Sequence, residues 1–223
     1  MKKYIFPIIC LCFFIAFTIG AKTIDVQQIG PLGSSVGFAT INMAVRNFIQ
    51  SNIPASFQNI CYSLTKVAAI LAILTACYFA MFGLTQLLKR KSLLKVDWEI
   101  IMLGLVYALT ILLYVLFEKI AVNFRPILED GNLEPSYPST HTMIVFCILG
   151  SAKYAFHSYI NKSKLRLCAE IICVVVVALT VIGRLISGVH WFSDIIGGVL
   201  ISLSIVSFYK AQLSIHKGKQ QEK

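Results

Sequence analysis

Five polar side chains that could handle a phosphate group lie at the ends of apolar segments: Arg125, His141, Arg184, His190 and Asp194. In a chain this apolar, ionisable residues gathered at segment ends are costly unless they meet at one site. Guanidinium groups bind phosphate oxygens through a planar fork of donors, and an imidazole can attack phosphorus or transfer a proton. The set indicates phosphate chemistry at a membrane surface.

Two of the three short motifs in this set lie beside helix ends. Arg125 precedes Pro126, which stops a helix and leaves the guanidinium group at its outer end. Pro138-Ser139-Thr140-His141 comes just before an apolar segment, so Ser139 is placed to cap the helix that starts there. The free N–H groups of that first turn can bind an anion, and His141 could pass a proton to a leaving oxygen. Taken alone, each motif also fits a membrane anchor or an ordinary helix cap.

The third motif predicts a paired histidine and carboxylate. Gly183-Arg184 ends one apolar segment, and His190 opens the next with Asp194 one helical turn further on the same face. The carboxylate can accept a hydrogen bond from one imidazole nitrogen, which leaves the other nitrogen to act as a nucleophile. A buried pair of this kind can also be structural, but a nearby arginine favours function.

The composition describes an integral membrane protein. Hydrophobic residues make up 57% of the chain and charged residues 13%, and uncharged runs such as 67–88 can cross a hydrocarbon core of ~30 Å as helices. The length and the lack of an internal repeat favour one domain over residues 1–223. We predict an all-α bundle of six transmembrane helices at roughly 4–21, 67–88, 99–118, 141–160, 167–184 and 192–209.

Two features lie outside this simple pattern. Apolar residues recur at helical spacing from Phe38 to Ile49, until Pro54, and predict an amphipathic helix at the outer interface. This helix is either a packing lid or a wall along which a lipid reaches the site. Lys153 and Glu170 interrupt predicted spans, where charged residues snorkel, pair or function, and we interpret both as structural.

The distribution of Lys and Arg predicts the orientation. With the N-terminus in the cytoplasm, fourteen of the twenty Lys and Arg residues lie on the cytoplasmic side, as the positive-inside tendency requires. The motif residues then fall on the extracytoplasmic face of the cell membrane, and both termini are cytoplasmic. This sidedness explains most of the net charge of +10, so nucleic acid is not expected as a partner. Ile19 disfavours signal-peptide cleavage after Ala21, and we expect the first helix to be retained.

Together the three motifs resemble the signature of the type 2 phosphatidic acid phosphatase superfamily, which shares them with vanadium haloperoxidases. The family pattern is Lys-x6-Arg-Pro, then Pro-Ser-Gly-His, then Ser-Arg-x5-His-x3-Asp. This chain has FEKIAVNFRP, YPSTH and GRLISGVHWFSD in the same order. The motifs cover residues 119–194, and the spans extend the resemblance over nearly the whole chain.

The resemblance implies a role for each motif residue. His190 would be the nucleophile that forms a phosphohistidine, Asp194 would orient it, and His141 would protonate the leaving group and then help water attack. The residues that would hold the substrate phosphate are Arg125, Arg184, Ser139, Thr140 and Lys119. That mechanism needs no metal or other cofactor.

The chain departs from the family pattern at three positions. Five residues rather than six separate Lys119 from Arg125, which turns the lysine by about 100° on a helix. Thr140 stands where the pattern has glycine, and Gly183 where it has serine. None of these changes removes a catalytic group.

We therefore expect a hydrolase that acts on a membrane lipid phosphate or diphosphate, such as a polyprenyl diphosphate or a phosphatidate-like lipid. The alternatives are a lipid phosphotransferase and a non-catalytic binder or transporter of lipid phosphates. Because mere binding needs no nucleophile, both histidines together with Asp194 favour an enzyme. The partners expected are the lipid substrate and the bilayer, and no obligatory protein partner is evident.

Overall fold

The fold is all-α, as predicted. The computed structural model describes residues 2–221, which form seven α-helices and no β-strand. We number the helices α1 (Ile5–Thr23), α2 (Ala39–Asn52), α3 (Ala55–Arg90), α4 (Trp98–Lys119), α5 (Thr140–Tyr159), α6 (Ser163–Ile186) and α7 (Phe192–Gln221).

Five of these helices are long and apolar enough to cross a membrane, namely α1, α3, α4, α6 and α7. They contain the first, second, third, fifth and sixth predicted spans. The second differs in length, because α3 starts at Ala55 rather than near 67. Pro54 precedes it as the N-cap residue, and no helix breaker follows before the apolar run. The segment 58–66, in which polar residues alternate with apolar ones, therefore continues the same helix.

The remaining predicted span corresponds to α5. By composition, this helix is too polar to count as a membrane-spanning helix. It packs against α3, α4, α6 and α7, and it buries Thr142 and Ser151 together with Val145 and Leu149. Protein rather than lipid therefore surrounds much of α5. Polar residues are tolerated in such an environment, because neighbouring helices can satisfy them. A total of six membrane crossings remains a prediction.

The amphipathic segment forms α2. Ala39, Asn42 and Ile49 are its buried residues, whereas Ile41 and Phe48 are exposed. The helix predicted from Phe38 to Ile49 is confirmed, although its apolar face is divided between the protein and the surroundings. Its position at the outer membrane interface stays a prediction.

The first helix packs along the last one. Ser204 Oγ donates a hydrogen bond of 2.9 Å to the Pro7 carbonyl oxygen, and Lys3 Nζ donates one of 3.0 Å to the Ser214 carbonyl oxygen. The helices α1 and α7 therefore close the bundle, and α5 occupies its interior.

Candidate active site

Four segment ends converge on one region of the bundle. The helices α5 and α7 both begin there, and the Ser139 N–H donates a hydrogen bond of 3.0 Å to the Asp194 carbonyl oxygen. The end of α6 brings Arg184 to the start of α5 through its bond to His141. The segment after α4 supplies Asn123, whose side chain reaches Asp194. The predicted motifs therefore do meet, although they come from different helices.

His190 is buried in the short connection between α6 and α7, with 4% of its surface exposed. Its Nδ1 lies 3.1 Å from the Ser136 carbonyl oxygen, and because a carbonyl only accepts, this nitrogen carries the proton. Burial, followed by the charges of Arg184 and Arg125, holds the pKa of His190 well below its usual range. The ring is therefore neutral near pH 7. Its Nε2 presents a buried lone pair that has no hydrogen-bond partner among the described residues.

The predicted hydrogen bond between His190 and Asp194 is not formed. The closest imidazole and carboxylate atoms, Nδ1 and Oδ2, are 3.7 Å apart, which is too far for a hydrogen bond. Asp194 Oδ2 instead accepts the Trp191 N–H at 2.9 Å, as in a capping box at the start of α7. The carbonyl of Ser136 therefore sets the tautomer, and the carboxyl group of Asp194 lies beside the ring without bonding to it.

Arg184 holds the second histidine. Its Nη2 donates a hydrogen bond of 2.7 Å to Nδ1 of His141. A guanidinium group has no acceptor, so Nδ1 is unprotonated and the neutral ring carries its proton on Nε2. His141 therefore has the tautomer opposite to that of His190.

Two residues of α3 that the motifs do not include fix Arg184. Its Nη1 lies 3.5 Å from Thr65 Oγ1, and its guanidinium carbon lies 5.3 Å from the centre of the Tyr62 ring. The arginine is 1% exposed, yet its Nε has no hydrogen-bond partner within the described residues. One donor of the fork is thus buried and unused.

The close approach of α3 also explains Gly183. A Cβ atom at this position would lie 2.9 Å from Cγ2 of Thr65, which is closer than carbon atoms in contact. The serine of the family pattern would not fit here unless Thr65 moved. In its place, Thr65 brings a hydroxyl group to Arg184 from the neighbouring helix.

Arg125 is buried beneath two carboxylates. Its guanidinium group forms ion pairs with Glu129 and, at 3.5 Å, with Glu134. Glu129 also accepts a hydrogen bond of 3.1 Å from the Tyr62 hydroxyl. The loop that carries Glu129 turns through Gly131, whose φ of 80° favours glycine. Arg125, a predicted phosphate-binding residue, is therefore already paired with the Glu129 carboxylate of the protein itself.

The other predicted phosphate ligands differ in their placement. Ser139 is the N-cap residue of α5, but its side chain forms no capping bond, so the predicted side-chain cap is wrong. Its buried hydroxyl has no partner among the described residues. Thr140 starts the helix, and its N–H is one of the free donors of the first turn. Lys119 is exposed at the end of α4 and forms no hydrogen bond or ion pair with residues 2–218.

A buried amide network fixes the start of α7. Asn42 donates from Nδ2 to Ser193 Oγ and accepts the Ser193 N–H at Oδ1, both at 2.9 Å. Asn123 donates to Asp194 Oδ1 at 3.3 Å and accepts the Gly37 N–H at 3.2 Å. Asn42 is a polar residue within the amphipathic segment, yet it is buried. Its spacing, four residues after Phe38 and seven before Ile49, could have shown that it faces inward.

Two cavities lead toward these residues. An apolar groove of about 330 Å³ between α3 and α6 is lined by Thr65 and Gly183 at the level of Arg184. The cavity that reaches His190 along α2 holds only about 10 Å³, the room of about one water molecule. The wider path therefore runs between α3 and α6.

Comparison with known proteins identifies the family. The family model described as PAP2 superfamily matches residues 70–216, more than half of the chain and all eight predicted site residues. No curated protein sequence matches the chain. A similar solved structure is described as the crystal structure of the first transmembrane PAP2 type phosphatidylglycerolphosphate phosphatase from Bacillus subtilis. It is 20% identical with a TM-score of 0.66, over 95% of this chain and 96% of that chain. The family predicted from the three motifs is thereby confirmed: the chain belongs to the PAP2 superfamily and is a multi-pass membrane phosphatase.

Proposed function

We propose that the protein hydrolyses a phosphomonoester or diphosphate of a lipid in the outer leaflet, through a phosphohistidine on His190. One observation carries this proposal. His190 Nε2, the Nε atoms of Arg125 and Arg184, and the Ser139 hydroxyl are buried without a hydrogen-bond partner in the described chain. Buried polar groups are nearly always paired. The two Nε atoms and the hydroxyl can donate hydrogen bonds to phosphoryl oxygens. The fourth atom, His190 Nε2, has a lone pair that can attack phosphorus.

The reaction takes two steps. The Nε2 lone pair of His190 attacks phosphorus, and the bond from phosphorus to the leaving oxygen breaks while His141 gives that oxygen a proton. The positive charge on the phosphorylated ring is balanced by the Asp194 carboxylate, 3.7 Å from Nδ1, and by the Ser136 carbonyl. Water then attacks the phosphohistidine and passes a proton to His141. Inorganic phosphate leaves, and His190 is restored.

The hydrogen bond between Arg184 of α6 and His141 of α5 links substrate binding to this proton transfer. In the resting site, Nδ1 of His141 accepts from Arg184 at 2.7 Å and cannot hold a proton. A bound phosphoryl group competes for the same guanidinium donors, because a charge-assisted bond to phosphate is stronger than one to a neutral ring. Once Arg184 turns to phosphate, Nδ1 is free to be protonated. The general acid therefore forms only when substrate is present.

The groove between α3 and α6 supports a lipid rather than a soluble substrate. Its lining is almost entirely apolar, with Leu64 and Leu179 among the exposed side chains, and it reaches Thr65 beside Arg184. A head group at Arg184 would leave its tail in this groove and in the surrounding bilayer. An apolar groove accepts many tails, so the head group is the main determinant of substrate choice.

The direct experiment is phosphate release by the purified protein from a panel of substrates. The panel contains a polyprenyl diphosphate, phosphatidate, phosphatidylglycerol phosphate and a water-soluble monophosphate. We expect release from at least one lipid at more than about ten times the rate seen with the soluble ester. A parallel assay with an added alcohol separates hydrolysis from transfer, since a phosphotransferase would phosphorylate the alcohol. Saturable lipid binding without release of phosphate would favour a binder or transporter.

The predicted orientation can be tested without reference to catalysis. Asn132 is exposed in the loop near Arg125, and Asn161 is exposed in the turn between α5 and α6. On intact cells, an impermeant maleimide should label Asn132→Cys above the wild-type background of native cysteines and should not label Asn161→Cys. Labelling confined to Asn161→Cys would place the site in the cytoplasm.

Glu129 should compete with the substrate for Arg125. Glu129→Gln removes the negative charge while keeping the shape of the side chain, so we expect KM to fall about 3-fold to 10-fold with little change in kcat. Glu134→Gln is the matched control, because its carboxylate lies 3.5 Å from Arg125 and its side chain is more exposed. It should change KM less. A higher KM in Glu129→Gln would mean that this carboxylate assists substrate binding instead.

A further inference from the structure

Lys153 is the charged residue that the catalytic site leaves unexplained. It lies within α5, a predicted membrane span, and charged residues in such segments pair, snorkel or serve a function. Its Nζ lies 5.6 Å from the centre of the Tyr154 ring, and no carboxylate pairs with it among residues 2–218. The other charged residue noted there, Glu170, is engaged by His157 at 2.8 Å and Arg166 at 4.0 Å. The charge of Lys153 therefore lacks a protein counter-ion.

A second lysine shares the same ring. Lys210 Nζ of α7 also lies 5.6 Å from the centre of the Tyr154 ring, and it has no carboxylate partner within the described residues either. Lys3, two residues before α1, bonds to the Ser214 carbonyl oxygen and lines the same cavity as Tyr154. Two ammonium groups thus lie near one tyrosine ring, and a third lies along the same cavity.

These lysines line one end of a cavity that is otherwise apolar. The cavity has a volume of about 520 Å³, which is within the range of small-molecule sites. Beyond the lysines its walls include Phe146, Val177 and Leu203, and no acidic residue lines it. A ligand that fits must carry an anionic head and a hydrophobic chain.

A second chamber adjoins the basic end. It has a volume of about 380 Å³ and shares Lys3, Tyr154 and Lys210 with the first cavity. Its own lining adds Lys217, whose Nζ bonds to Ser158 Oγ at 3.3 Å. This chamber widens the site at the end where a head group would lie.

The two cavities are far from the catalytic site. Lys153 follows His141 by twelve positions on α5, and Lys210 follows Asp194 by sixteen on α7. At a rise of 1.5 Å per residue these separations are roughly 18 Å and 24 Å along the helices. The lysines therefore face the leaflet opposite to the one that the catalytic site faces.

We infer that this groove between α1, α5, α6 and α7 is a binding site for an anionic phospholipid of the opposite leaflet. The phosphate of the lipid lies between Lys153 and Lys210, its remaining head group occupies the adjoining chamber, and an acyl chain runs along the apolar walls. Basic pockets between transmembrane helices bind anionic lipids by the same electrostatic attraction. A zwitterionic lipid brings a cation into a site that already holds Lys3, Lys153, Lys210 and Lys217, so the site discriminates against it.

Native mass spectrometry of the full-length protein, released from nanodiscs, tests the inference. Nanodiscs are made of phosphatidylcholine with or without phosphatidylglycerol, which is a phosphodiester. We expect the wild type to retain one phosphatidylglycerol molecule. The double variant Lys153→Gln/Lys210→Gln should bind it at least about ten times more weakly. The matched control Lys89→Gln/Lys164→Gln removes the same charge from exposed lysines outside the groove and should bind like the wild type. Lys210→Gln alone changes an exposed side chain, and it provides the same test, with a smaller effect, if the double variant does not fold.

Two results would overturn the inference. Equal loss of the lipid in both double variants would mean a diffuse attraction to the basic surface. Retention of phosphatidylcholine as tightly as phosphatidylglycerol would mean that the groove is filled by any hydrocarbon chain. Because phosphate release is not measured here, the result does not depend on the proposed reaction.

Discussion

We expect His190→Ala to lose phosphatase activity by a factor on the order of 10³ or more, because this imidazole is the nucleophile of the proposed reaction. The other imidazole of the site cannot take its place at rest, because Nδ1 of His141 accepts a hydrogen bond from Arg184. The measurement is phosphate release from the best lipid of the panel, with size-exclusion profiles and thermal unfolding in detergent to show that the fold is kept.

The intermediate itself gives a second readout of this prediction. Wild-type protein quenched during turnover should carry a phosphoryl group on His190 that is stable to base and labile to acid. Asp194→Asn should lose activity less completely than His190→Ala, because the Ser136 carbonyl already sets the tautomer. The change removes the negative charge and one of the two oxygens that accept from Trp191 and Asn123. Full activity in His190→Ala would remove the phosphohistidine from the mechanism and return a binder or transporter to first place.

We expect Arg184→Lys to lose activity by a factor of about 10² or more, although the positive charge is kept. Lysine provides a point charge and cannot reproduce a planar fork of donors. It also cannot supply the separate donors that hold Nδ1 of His141 at rest and the phosphoryl group once substrate is bound. The loss should appear mainly in kcat, because the contacts to phosphate strengthen as charge develops in the transition state.

Lys119→Ala is the control for this change. Lys119 is the remaining cation of the family motif, but it is exposed and forms no bond to the other site residues among those described. We expect its replacement to change kcat/KM by less than about 3-fold. If Lys119→Ala were as damaging as Arg184→Lys, the lysine would contact phosphate after a rearrangement of the end of α4.

Motif spacing predicted which residues of the site belong together, because each motif lies in or beside a helix end. The starts of α5 and α7 follow from local signals such as Pro138 and the apolar periodicity. The sequence could not show the partners that other helices contribute. Thr65 and Tyr62 lie within a long polar extension of α3 whose spacing to Arg184 is set only by packing.

The prediction that Pro126 stops the helix before Arg125 is wrong, because α4 ends at Lys119 and Arg125 lies in the following loop. Two further wrong details, both about hydrogen bonds, have the same origin. The predictions gave Ser139 a capping bond and Asp194 a bond to His190, each from its position in one helix. In the structure, Ser139 is joined to Asp194 through the backbone, and the Asp194 carboxylate bonds to the Trp191 N–H and the Asn123 amide. Residues that are distant in the sequence compete for the same donors and acceptors, and this competition decides which hydrogen bonds form. The residue pattern of a single segment contains no information about these distant competitors.

The pairing of the chain's first and last helices has a consequence for biogenesis. Ser204 bonds to Pro7 across 197 positions, and Asn42 bonds to Ser193 across 151 positions. During synthesis, α1 and α2 are therefore made long before their partner α7 exists. Because His190, the proposed nucleophile, lies two residues before α7, a chain that ends before this connection cannot assemble the reaction centre. Synthesis of the connection between α6 and α7 thus sets the earliest moment at which the proposed reaction centre can form.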